Sequence, residues 1–97
     1  MSMITESVGY RYITSSGQAV KTDSYVVGIS VTCETANCLV SIYDGKDMSS
    51  GRQVLDIRAP SDQTITVELP KPLWCESGIY VVLDANTRCC TIYYCEV

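Results

Sequence analysis

Six cysteines, at positions 33, 38, 75, 89, 90 and 95, are the residues of this chain best able to do chemistry. A thiol becomes a nucleophile when a base or a positive neighbour lowers its pKa. The chain has no histidine, which removes Cys-His dyads, Ser-His-Asp triads and the usual His metal sites in one step. Lys46 or Lys71 would have to serve as base. Zinc sites use paired Cys-x₂₋₄-Cys knuckles, and the spacings Cys33-x₄-Cys38 and Cys90-x₄-Cys95 fit the wide end of that range. Residues 90 and 95 read as parts of one extended strand, however, which holds them roughly 16 Å apart at ~3.3 Å per residue. Cys89 and Cys90 are strand neighbours and point to opposite faces. The thiols therefore read first as small buried hydrophobes, second as oxidised pairs and last as metal ligands.

The carboxylates offer less. Asp44, Asp47 and Asp56 surround a Gly-containing loop, but the segment lacks the alternating ligands and closing Glu of a calcium loop. Glu68 and Glu76 are a pair that glycoside hydrolysis could use, and they read instead as outward-facing strand and loop charges. Neither Asp44-Gly45-Lys46 nor Ser49-Ser50-Gly51-Arg52 has phosphate-loop spacing. No catalytic residue, cofactor site or metal site is assigned, and the chain reads as non-enzymatic. One possible disulfide remains. Cys33 and Cys38 flank a four-residue connection, and on a hairpin they would face each other across adjacent strands. That bridge reads as an optional brace.

Tyrosine is the enriched residue that suits an interface, with seven copies in 97 residues and a large amphipathic ring. Tyr80 and Val82 share the face opposite the core side of their strand. With Tyr93, Tyr43 and Trp74 they form the candidate interface.

The elements that must carry these residues are strands. Val, Ile, Thr and Tyr supply 35 of the 97 residues, against 4 Ala and 5 Leu, and such side chains fit a pleated, half-buried surface. Alternation places strands over residues 8–13, 18–22, 25–32, 38–43, 53–59, 64–69, 78–84 and 89–95. In the third of these, Tyr25, Val27, Ile29 and Val31 are expected inward. Residues 34–37 read as a hairpin loop, and Pro70-Lys71-Pro72 is expected to break pairing because proline cannot donate to the ladder. The pattern predicts an all-β fold, a compact antiparallel β-sandwich or small jelly roll of seven or eight short strands. Residues 8–97 form one domain, preceded by a flexible arm at residues 1–7.

Charge narrows the partners. The net charge is −4 and the seven basic residues are scattered, so neither a nucleic-acid face nor an anionic-membrane patch is expected. The first residues, Met-Ser-Met-Ile-Thr-Glu, carry no signal-peptide pattern.

Several short motifs recur in a recognisable order. They are Tyr10-Arg11-Tyr12, then residues 26–31 (VVGISV), then residues 40–45 (VSIYDG) with Ser50-Gly51 following. Later come residues 77–82 (SGIYVV) and residues 91–94 (TIYY). This order resembles small β-sandwich structural proteins of tailed bacteriophages, of the head decoration or cement type, over roughly residues 8–95. The resemblance implies a virion structural protein, made in the host cytoplasm, that binds and stabilises the phage head. Its implied partners are the major capsid protein or other virion proteins and further copies of itself, with a trimer favoured. A tail or fibre adaptor, or a receptor- or carbohydrate-contacting module of the virion, is the alternative reading.

Overall fold

Eight antiparallel strands account for most of residues 8–96, which are the residues the computed structural model describes. The arm expected at residues 1–7 lies outside the described residues. The strands are β1 (Gly9–Ile13), β2 (Gly17–Val20), β3 (Ser24–Cys33), β4 (Cys38–Asp44), β5 (Arg52–Ala59), β6 (Thr64–Cys75), β7 (Ile79–Leu83) and β8 (Thr87–Glu96). They form a front sheet in the order β1-β8-β3-β6 and a back sheet in the order β2-β7-β4-β5. First pairs with last, second with seventh, third with sixth and fourth with fifth. A long antiparallel ribbon wound around itself gives this order, which is that of a jelly roll. The predicted all-β sandwich is the observed fold.

Between the sheets lies a core of β-branched aliphatics. Val26, Ile29, Val31, Val40, Ile42, Ile79, Val81 and Ile92 are completely buried. Each sits at an inward position of a strand whose neighbours point out, so alternation alone commits them to the core. Cysteines fill the remaining gaps. Cys33, Cys38, Cys75 and Cys90 all belong to the core, as small hydrophobes do. At the edge of the front sheet, the Arg11 guanidinium lies 5.4 Å from the centre of the Tyr94 ring and covers it.

Three expectations change. In β3, a bulge falls between Val26 and Gly28: Val26 pairs with Tyr94 and Gly28 with Tyr93, leaving Val27 as the extra residue. The bulge reverses the alternation ahead of it. Ser24 and Val26 are therefore buried, while Tyr25 is exposed and Val27 only half-buried. Second, the connection at residues 34–37 is not a hairpin loop. It carries the chain from the front sheet (β3) to the back sheet (β4). Third, the prolines do interrupt pairing, since Val26 meets Leu73 and Gly28 meets Glu68, leaving residues 69–72 without ladder partners. Yet β6 continues through them to Cys75. It can do so because it is an edge strand, where a missing donor faces no neighbour.

The ends of the sandwich are closed by hydrogen-bonded loops. At one end the Glu34 amide donates to Asn86 O at 2.8 Å, and the Asp62 amide donates to Glu34 O at 2.7 Å. Asp84 ties the same end together. Its carboxylate accepts from the Leu39 amide at 3.0 Å, the Asn86 amide at 3.1 Å and the Thr87 hydroxyl at 2.8 Å. At the other end Gly78 holds a φ of +100°. A Cβ there would stand 2.5 Å from Val20 O, so the turn needs glycine.

Candidate interaction surface

Strand register sorts the outward side chains of the front sheet into rows. One row runs Tyr10, Tyr93, Gly28, Glu68 across β1, β8, β3 and β6. The next runs Tyr12, Thr91, Ser30, Thr66. Beyond it lie Cys89, Thr32 and Thr64, and on the opposite side Cys95, Tyr25 and Trp74. Five aromatic rings thus share one face. Tyr10 and Tyr12 are 65% and 64% exposed, and Tyr25 and Trp74 are 40% and 38% exposed. The Tyr25 and Trp74 rings touch, with centroids 4.8 Å apart and planes inclined by 49°. At roughly 200 Å² for a whole aromatic side chain, these four present on the order of 400 Å² to solvent. That is within the ~300–600 Å² of the largest patch on a typical monomer, a patch that is often functional.

The rest of the face is hydroxylic. Ser30 and Thr66 share a hydrogen bond of 2.8 Å, as do Thr32 and Thr64. Glu68 is the one formal charge among these register-paired residues. The Tyr93 ring lies 3.7 Å from where a Gly28 Cβ would stand, so Gly28 is buried, and next to it an open groove of about 490 Å³ is bordered by Val27, Thr66, Glu68, Leu69 and Tyr93. At the far end Tyr12 shares a hydrogen bond with Cys89, which raises the phenol above its ordinary pKa.

The interface residues expected from the sequence do not come together. Tyr93 and Trp74 lie on this front face. Tyr43, Tyr80 and Val82 project from the back sheet, where Tyr43 pairs with Tyr80 and Ser41 with Val82. All three are half-buried. The Tyr43 hydroxyl donates to Gln53 at 3.3 Å, and Ser41 donates to Asp56 at 2.8 Å. The back face is thus a smaller, hydrogen-bonded surface that also carries Asp56. Tyr10, Tyr12 and Tyr25 complete the front face; the sequence reading left Tyr10 and Tyr12 out of the interface and placed Tyr25 inward. Tyr10 and Tyr12 flank Arg11 on one strand and so share a face. Nothing local said that their shared face was the outer one.

The residues considered for catalysis are dispersed into structural roles. Cys33 and Cys38 are joined, with Cα atoms 5.5 Å apart. Because β3 and β4 belong to different sheets, the bridge ties the sheets together rather than bracing a hairpin. Burial, reinforced by Asp44, pushes the Cys75 thiol up to about 11, and burial with the neighbouring Cys89 pushes Cys90 up to about 12. Both are therefore neutral and unreactive at neutral pH. Cys89 lies half-buried on the front face and Cys90 in the core, on opposite sides of β8 as their adjacency requires. Asp47 is held below the usual carboxylate range by the Ser50 hydroxyl and amide. Asp44 accepts from the Ser77 amide at 2.8 Å and faces Arg52 at 3.7 Å. Glu68 pairs with Gly28, and Cys75, beside Glu76, pairs with Ser24. Four residues of β3 thus set the backbones of Glu68 and Cys75 roughly 13 Å apart, with Glu68 on the strand and Glu76 in the turn that follows it. Among the described residues no group of three or more Cys, Asp or Glu is placed to hold a metal ion.

No family model matches this chain, and no curated protein or solved structure matches it.

Proposed function

We propose that this chain is a non-enzymatic virion structural protein, a decoration subunit that works by adhesion to the head of a tailed phage. The observation that carries the reading is the front face, where exposed Tyr and Trp rings gather on one sheet of a rigid sandwich. Tyr and Trp give large contact area while losing little side-chain freedom, and Ser and Thr beside them supply adaptable hydrogen bonds. The remaining polar groups support the same reading. Asp84, Asp44, Asp47 and the Cys33–Cys38 bridge each have a structural occupation in closing loops or joining sheets. The order of short motifs that resembles phage head proteins favours a virion as the setting, and the jelly roll is a fold that capsid proteins use.

Copy number on purified particles tests this. Quantitative mass spectrometry should find hundreds of copies per particle, matching the multiplicity of the head lattice. A few to tens of copies would move the protein to a tail or fibre. Absence from particles would overturn the reading.

A further inference from the structure

We infer that the Cys33–Cys38 bridge is a thiol–disulfide exchange site, entered through a cleft at one end of the back sheet and opened at Cys38 by a small zwitterionic thiol of the glutathione class. The inference does not depend on the virion reading.

The two sulfurs of the bridge stand in different surroundings. Where β4 begins and β5 ends, Cys38 pairs with Ala59 and Leu39 with Arg58. An open cleft of about 320 Å³ lies there, bordered by Cys38, Asn37, Arg58, Pro60 and Asp84. Cys33 does not border it. Its Sγ lies 3.4 Å from the Ala59 carbonyl oxygen. Cys38 is only 3% exposed, so whatever reaches its sulfur must be small enough to enter the cleft. The volume is at the lower end of pockets that take small molecules. A tripeptide thiol suits that size, and the surface of a folded reductase does not.

Charge selects among small thiols. The cleft has one cation, the exposed Arg58, and one carboxylate, Asp84. The Asp84 carboxylate is held in place by the Leu39 and Asn86 amides and the Thr87 hydroxyl. Glutathione carries both carboxylates and an ammonium group. It can set a carboxylate against Arg58 and its ammonium toward Asp84.

The incoming thiol first gives its proton to solvent. Its thiolate attacks Cys38 Sγ, a new S–S bond forms there, and the Cys33–Cys38 bond breaks. The electron pair of the broken bond leaves on Cys33, which takes a proton from solvent. The Cys33 thiol then has the Ala59 carbonyl oxygen as its acceptor. A second thiolate attacks the reagent's own sulfur in the mixed disulfide, releases Cys38 as a thiol and departs as the oxidised reagent. Oxidised reagent drives the same steps in reverse. The tie between the sheets thereby follows the ratio of reduced to oxidised thiol around the protein.

Peptide mass spectrometry of the native full chain is the test, after brief exposure to reduced glutathione, an acid quench and capping of free thiols with N-ethylmaleimide. Glutathione should be found on Cys38, at least about tenfold more than on Cys33, because access decides which sulfur is attacked. Arg58→Glu should slow exchange with glutathione several-fold and leave the rate with mercaptoethanol, which is uncharged, unchanged. Single-thiol variants give a second readout. With glutathione disulfide, Cys33→Ala should take up the adduct at Cys38, and Cys38→Ala should take up none at Cys33. Adduct on Cys33 in equal or greater amount overturns the inference, as does equal slowing of both reagents by Arg58→Glu. So does a bridge that exchanges only at urea concentrations that unfold the chain. Copy number on particles is a separate readout, so either conclusion can fail alone.

Discussion

Breaking the Cys33–Cys38 bridge should lower stability by a predictable amount and leave the fold intact. The bridge spans a sequence separation of 5, so it closes a very short loop. In the chain-entropy account, cross-linking so short a loop stabilises by about 2 kcal/mol. An unfolding entropy of ~2.1 cal/mol/K per residue converts this into a fall in Tm of about 10 °C for a chain of 97 residues. The eight completely buried aliphatic positions of the core remain in place, so folding should survive. The double variant Cys33→Ala/Cys38→Ala is the perturbation, followed by circular dichroism during heating, with and without dithiothreitol. Reductant should lower the Tm of the parent protein and not that of the variant. Thiol titration of the denatured parent should rise by two after reduction. An unchanged count would show that the bridge is absent. A variant that fails to fold would show that the core alone does not hold the two sheets together, and would refute this reasoning.

Three further outcomes follow from the loops and the buried thiols. Gly78→Ala should destabilise by on the order of 3 kcal/mol, through left-handed strain and contact with Val20 O; Gly17→Ala, which meets nothing within 4 Å, is the control in urea titrations. Asp84→Ala should cost about 2–3 kcal/mol by leaving the Leu39 amide, the Asn86 amide and the Thr87 hydroxyl without their acceptor, read from the same titrations. Cys75 and Cys90 are raised to about 11 and about 12 in the fold, against ~8.5 in an unfolded chain. The unfolded chain therefore loses these protons first, and the stability they contribute is intact at neutral pH and declines as pH climbs past ~8.5 toward the folded values. A loss of about 3–4 kcal/mol by pH ~10 is expected, and Cys90→Ala should remove about half of that dependence.

The sandwich was legible because β4, β5 and the first part of β6 alternate cleanly. Val40 and Ile42, Ile57 and Ala59, and Ile65 and Val67 take the inward positions that period-two reading assigns them. Three things were hidden, each for a physical reason. The β3 bulge adds one residue, Val27, to a run in which Val26 is equally apolar, so nothing in the composition marks where alternation changes phase. The four-residue connection at residues 34–37 suits a hairpin and a sheet crossing alike. Only the pairing of strands far apart in sequence, β1 with β8 and β2 with β7, decides between them. The interface was misassembled for the same reason. Alternation told which tyrosines point away from their own strand's core side, but not which sheet each strand would join. Tyr43 and Tyr80 went to the back sheet, and Tyr93 and Trp74 to the front.

The proposed role as a decoration subunit requires the front face to be a contact surface on phage particles. Hydroxyl-radical footprinting reads this directly, by comparing side-chain oxidation of the dilute chain with that of the chain on purified particles. Tyr10, Tyr12, Tyr25 and Trp74 should be strongly protected on particles, while Tyr43 and Tyr80 change little. Front-face rings that stay as reactive on the particle as in dilute solution would contradict it.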